Sequence, residues 1–225
     1  MLSFQMTLKY LLVLLLFPFT LLTQNGTFKI PASYERVAEA TGDLDRDGKE
    51  EKVFIYDTPA GKDGHFTRIM YICKVAGADL TLWHKAILGN LADKQSLFTI
   101  VVKDLNIARN CIVIKQEKFF GNRNTTYYTH LFRYQDNDWY LIGSQLTLST
   151  NCYGNTVYEA NFSTGDIIVS FIPDGGCDGE PVNTQVPKKS SRKYNYKLPK
   201  LPLLDHFEFG EYELKIPGTK EVCYY

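Results

Sequence analysis

TYYTHLFRYQDNDWYLIGSQLTL, residues 126–148, decides how this chain is read. Two runs rich in β-branched and aromatic residues flank Gln135-Asp136-Asn137-Asp138. Thr, Tyr, Phe and Ile suit a pleated strand, whereas Asp and Asn tolerate the left-handed backbone of a tight turn. The stretch therefore reads as a β-hairpin. His130 alternates with Tyr128 and Phe132, which puts all three on one strand face and makes packing the natural role for the imidazole.

The same pattern continues in both directions. KVFIYD, TRIMYICKV, DLTLWHKAI, LFTIVVKD and NCIVIKQEKFF come before it, and TVYEANF and DIIVSFI follow. Turn chemistry separates them, as at Gly77–Asp79 and Ser163-Thr164-Gly165. Spacings of about ten residues describe antiparallel hairpins. Parallel strands would need crossovers of a dozen or more residues, usually helical, and no such segment stands out. The predicted fold is all-β, mainly an antiparallel meander of hairpins. It would form a curved sheet, a sandwich or a partial propeller, in a single β-rich domain over 24–225. SYERVAEA, residues 33–40, is the one short stretch with helical composition, and an extended conformation is open to it as well. Asp43-Leu44-Asp45 is echoed by Asp104-Leu105-Asn106, 61 residues on, an interval that propeller blades can show; ordinary turn residues before strands explain the echo more simply.

Past Ser170 the pattern breaks. Gly, Pro, Ser and Lys crowd the segment 173–200, which reads as including a long exposed loop. Its basic run, Lys188-Lys189 to Lys200, fits a solvated loop or an edge strand whose lysines oppose aggregation. LDHFEFGEYELKI, residues 204–216, reads as a final strand returning to the sheet.

The 225 residues are 44% hydrophobic and 14% aromatic, enough for a packed core. Lys plus Arg and Asp plus Glu number 25 each, so net charge gives no reason to expect nucleic acid as a partner. At the N-terminus, Lys9 precedes an apolar stretch from Leu11 to Leu22, interrupted by Pro18. A membrane-spanning helix needs about 20 apolar residues. The shorter stretch fits the h-region of a secretory signal peptide, here residues 1–23. The expectation is a secreted or periplasmic protein with no stable membrane span once the signal is removed.

Export makes disulfides the default for cysteine. None of the five cysteines forms a CxxC pair, which sets aside zinc-ribbon and thioredoxin spacings. The expected pairs are Cys73–Cys111, between neighbouring strands, and Cys152–Cys177, closing a loop worth about 3–4 kcal/mol. Cys223 is then left over near the C-terminus. Connectivity is not fixed by sequence.

Negative charge is concentrated in TGDLDRDGKEEKVFIYD, residues 41–57. Hard divalent cations take oxygen ligands, and a tight loop with acids at positions 1, 3 and 5 turns three carboxylates toward one centre. Asp43, Asp45 and Asp47 occupy those positions, and Gly48 stands at position 6, where the chain must bend sharply. Lys49 at position 7 would offer its carbonyl, and Glu51 at position 9 a further carboxylate. Position 12 is Phe54 rather than a bidentate Glu, and a strand follows instead of a helix, so this is not an EF-hand. The competing explanation is an Asp-rich turn solvated by water. The all-oxygen donor set makes calcium the predicted cation.

The pattern D-x-D-x-D-G-x-x-E running into a strand resembles the calcium loops of FG-GAP and VCBS-type repeats, as in integrin α-subunit propellers. The resemblance covers about 16 residues and implies Asp43, Asp45, Asp47, the Lys49 carbonyl and Glu51 as ligands. Glu51 stands where that family has Asp, and repeated blades are not evident elsewhere.

Catalytic motifs are sparse: there is no HxxxH, GxSxG or phosphate-cradling GKS or GKT. Asn25, Asn124 and Asn161 begin glycosylation sequons. The expected function is an exported, calcium-stabilised β-module that binds an extracellular or periplasmic protein or glycan without chemistry. Asp136–Trp139 and Phe119-Phe120-Gly121-Asn122 are candidate contact surfaces. The alternatives are a secreted hydrolase whose carboxylates the fold assembles, and an envelope scaffold.

Overall fold

A computed structural model describes residues 27–92, 100–120, 124–150, 152–174, 187–208 and 212–225. Thirteen strands run in chain order among them: β1 Glu35–Gly42, β2 Glu51–Asp57, β3 Phe66–Ala76, β4 Asp79–Leu91, β5 Ile100–Ala108, β6 Cys111–Phe119, β7 Asn124–Gln135, β8 Asp138–Thr150, β9 Gly154–Asn161, β10 Asp166–Pro173, β11 Ser190–Asn195, β12 Glu213–Lys215 and β13 Val222–Tyr224. A single 3-10 turn, Leu204–His206, accompanies them. The fold is all-β and antiparallel, and its sheets do not close into a barrel.

The hairpin at 126–148 is present: Asp136 and Asn137 both take positive φ, and Gln135 pairs with Asp138. Arg109 and Asn110 make the same kind of turn between β5 and β6. Two main sheets result. One has the order β1-β2-β3-β4, the other β11-β10-β9-β8-β7-β6-β5, and β12-β13 form a small ribbon. These are not repeated blades. Asp104 lies within β5 whereas Asp43 lies in a turn, so the 61-residue echo has no structural counterpart.

Alternation along the strands sets the layers. Val53 and Ile55 of β2 and Met70 and Ile72 of β3 face Ile112 and Ile114 of β6, Phe132 of β7 and Leu141 of β8 in one shared core. Each such side chain stabilises the fold by about 1.5–3 kcal/mol on burial. On the other face of the first sheet, Phe54, Ile69, Tyr71 and Cys73 form a second cluster under Phe28, Ile30 and Tyr34. β2 and β3 are therefore covered on both faces, which is why both read as continuous apolar runs. Gly42 marks a close approach between sheets, since a Cβ there would lie 2.8 Å from the Ile107 side chain on β5.

The structure meets some expectations and corrects others. Of the two readings open for SYERVAEA the extended one holds, because residues 35–42 pair with β2 as edge strand β1. Its Ala and Glu favour helix only weakly, and sheet pairing overrides that preference. The basic run contains β11, the edge of the larger sheet, in line with its reading as an edge strand, and Arg192 there pairs with Glu221. Among the described residues, LDHFEFGEYELKI adds no strand to either main sheet; it supplies the 3-10 turn and β12, which pairs with β13. Cys73 and Cys111 are both free thiols on different sheets, so the expected pair does not form. Cys223 is also free, yet it is fully buried. Cys152 is not among the free thiols, and Cys177 lies outside the described residues. So do residues 1–26, which contain the expected signal peptide. Trp139, proposed as a contact residue, is 1% exposed and packs on Trp83 and Tyr134. Phe119 and Phe120 are exposed, while Gly121 and Asn122 lie outside the described residues. Among the described residues no helix is long and apolar enough to cross a membrane.

Candidate metal centre

The acidic segment is the turn of the β1–β2 hairpin, between Gly42 and Glu51, which pair directly. Each aspartate first organises the backbone around it. Asp43 accepts the Arg46 N–H at 2.6 Å on Oδ1 and the Gly48 N–H at 3.2 Å on Oδ2. Asp45 accepts the Asp47 N–H at 3.2 Å, and Asp47 accepts the Lys49 N–H at 2.8 Å. Such local bonds are what Asp offers a turn. Arg46 and Gly48 sit at φ of +67° and +82°, so Gly48 does supply the bend expected of it.

Two anchors fix the loop to the body of the protein. Leu44 is buried in the shared core. Asn110, from the β5–β6 turn, donates its side-chain N–H to the Asp43 carbonyl at 2.7 Å. Glu51 is 1% exposed, and its Oε2 accepts the Leu44 N–H at 2.8 Å.

Carboxylate oxygens of Asp43, Asp45 and Glu51 all lie within 4.8 Å of one another. Calcium–oxygen bonds are about 2.3–2.6 Å, so two oxygens on opposite sides of one ion stand about 4.8 Å apart. The three acids thus lie as close together as ligands of one ion do, and their donor set is all hard oxygen. Asp47 is not brought into this cluster; its carboxylate closes its own turn on Lys49, whose ammonium is 3.8 Å away. Lys49 lies on the exposed rim.

A residue that motif reasoning missed sits at the centre. Lys74 of β3 pairs directly with Glu51 across the sheet. Its ammonium bonds to Asp45 Oδ2, lies 3.5 Å from Glu51 Oε1, and stands 4.2 Å from the centroid of the Trp83 ring. A β-bulge in β4 leaves Trp83 outside the pairing with β3. The Lys74 hydrogen bond holds the Asp45 carboxyl below its usual range, with the Asp47 N–H helping. Partial burial pulls the Lys74 ammonium down, but Asp45, Glu51 and Asp47 outweigh it and leave its pKa raised. Both groups are ionised at neutral pH.

Other candidate groups are differently occupied. Asp205 pairs with His84 of β4 at 2.6 Å. Asn161 accepts the N–H groups of Ser163 and Thr164, serving its turn. Burial pushes the Cys73 thiol up to about 11 and Cys223 to about 12, the opposite of what a nucleophile needs. Set against protein-family models, curated proteins and solved structures, the chain matches none of them.

Proposed function

We propose that the chain is an exported β-rich binding module whose Asp43–Glu51 loop takes calcium, and that it recognises an extracellular or periplasmic protein or glycan without transforming it. One observation carries the cation reading. Three carboxylates converge within 4.8 Å, and a single ammonium, that of Lys74, faces them. Two negative charges are left unmatched, the charge a divalent cation neutralises. Asp43, Asp45 and Glu51 would hold the ion through carboxylate oxygen. The ion would pin the β1–β2 turn against β3 and the β5–β6 turn. The likeness of the loop to FG-GAP and VCBS-type calcium loops supports this reading, with Glu51 in place of the family's Asp.

A bound cation and the Lys74 ammonium compete for Asp45 and Glu51. Lys74 then moves relative to the Trp83 ring, which makes Trp emission a reporter. The test is calorimetric titration with calcium and then magnesium, with Trp emission followed in parallel. The expected result is one saturable calcium site with Kd between about 10 μM and about 1 mM, the range from sensor to extracellular modules. Glu51→Gln should weaken it. Absence of saturable heat and of any emission change would remove the cation from the proposal and leave a hairpin turn neutralised by Lys74.

A further inference from the structure

A cavity of about 480 Å³ opens beside the acidic loop, lined by Leu44, Asp45, Arg46, Asn110, Arg133, Tyr134 and Gln135. It lies where the β1–β2 turn, the β5–β6 turn and the β7–β8 hairpin meet, and so draws on both sheets. The charge of its lining is unexpected so close to a cluster of acids. Its single carboxylate, Asp45, is already bonded to Lys74. The side chains of its two arginines have no carboxylate partner among the described residues. Arg133 donates to the amide oxygen of Gln135 at 3.0 Å and 2.6 Å, and to Ser163 Oγ at 3.5 Å. The Arg46 side chain is exposed, and its backbone is held at positive φ by the Asp43 carboxylate.

A third group registers both charges. The Cys111 thiol is pushed up by burial and drawn back down by Arg133 and then Arg46. Two cations from separate elements therefore act on one small region. Gln135 keeps its amide N–H donors, because its oxygen receives Arg133.

We infer that this cavity is a binding site for an oxyanionic group, a sulfate, phosphate or carboxylate carried by the ligand, held between Arg46 and Arg133. Guanidinium presents paired N–H donors that match the oxygens of such a group, and these charge-assisted bonds are about twice as strong as neutral ones. The inference deepens the binding-module reading by naming what is recognised. It does not depend on calcium, and the test is run in chelator so that the two stand or fall separately.

The experiment titrates the full chain with inorganic sulfate, inorganic phosphate and acetate in turn, at constant ionic strength, by calorimetry. Arg46→Asn, Arg133→Gln and the control Lys103→Gln are run beside it. Asn suits the left-handed backbone at position 46. Lys103 pairs with Glu117 at 3.1 Å outside the cavity. The expected result is saturable binding of at least one probe in the roughly millimolar range. Arg46→Asn and Arg133→Gln should each weaken it about tenfold, and Lys103→Gln should leave it unchanged. The preferred probe identifies the group. No saturation with any probe, or equal weakening in all three variants, overturns the inference. An unchanged melting temperature in Arg46→Asn shows that its loss of binding is not a loss of fold.

Discussion

β2 and β3 carry an acid opposite a base at each end of the same inward-facing row. At one end Asp57 faces Arg68, and at the other Glu51 faces Lys74, with Val53, Ile55, Met70 and Ile72 between. The Asp57–Arg68 end is dry and matched. Arg68 reaches both carboxylate oxygens at 2.8 Å and 3.0 Å, and donates to the Ile100 carbonyl of β5 at 2.6 Å. The Glu51–Lys74 end is wetter and unmatched, because Asp43 and Asp45 join Glu51 around one ammonium. A matched pair locks one sheet onto the other. An excess of carboxylate leaves work for a cation from solution. The comparison gives one end of the row a structural role and makes the other the end where the proposal puts its cation.

The matched end gives the largest expected effect. Arg68→Met leaves Asp57 buried without its guanidinium, and removing one partner of a buried pair costs about 3–5 kcal/mol. Urea unfolding should show that loss equally in chelator and in calcium. A calcium-dependent loss would mean that the two ends are not independent.

Acid should distinguish the ends only after a third group is removed. Full burial depresses the His130 imidazole to about 3. In the unfolded chain His titrates near 6.5, so from about pH 6.5 down to about 3 the unfolded state binds more protons. Stability is complete above that window and falls inside it, by about 3 kcal/mol between pH 7 and pH 4. His130→Leu should flatten this slope in pH-dependent urea unfolding. Asp45, whose folded pKa is depressed, keeps its contribution above its unfolded value and loses it as pH falls through the folded one. In the His130→Leu background the remaining acid loss should therefore begin only below about pH 4; an unchanged slope would take His130 out of the account.

Lys74→Gln sharpens the comparison from the other side. It should cost about 1 kcal/mol in chelator, as partly exposed pairs do. It should also raise calcium affinity by removing the competing ammonium, as read by titration. Weakened affinity instead would show that Lys74 holds Asp45 and Glu51 in place for the cation rather than competing with it. Of similar size is Gly48→Ala. Nothing stands within 4 Å of a Cβ there, so only the strain of its φ of +82° remains, about 1 kcal/mol in thermal unfolding.

Most strands were legible because hairpins are local. Alternation, β-branched residues and turns such as Asp136-Asn137 announce themselves within a few residues. β1 was hidden because an edge strand is half exposed, and Glu35, Arg36, Glu39 and two alanines carry no strand preference of their own. The division into two sheets was hidden as well, since the spacing between β4 and β5 resembles any other hairpin. That division is also why Cys73 and Cys111 were paired wrongly. The candidate site divides in the same way. Asp43, Asp45 and Glu51 lie within nine residues of each other and were read directly. Lys74 and Asn110 reach them from 29 and 67 positions away, through β2–β3 register and sheet packing that no local motif encodes.

The claim that the unmatched end binds a cation is tested most directly by melting the chain, from about residue 24 onward, in chelator and in ~1 mM calcium, with Asp45→Ala beside it. At a Kd of about 10 μM, calcium adds about 2.7 kcal/mol. In a chain of this size that raises Tm by roughly 5–11 °C. The account predicts that rise in the natural sequence and its loss in Asp45→Ala. The same melting temperature with and without calcium would contradict it, and would make the Asp43–Glu51 loop a turn that Lys74 alone holds.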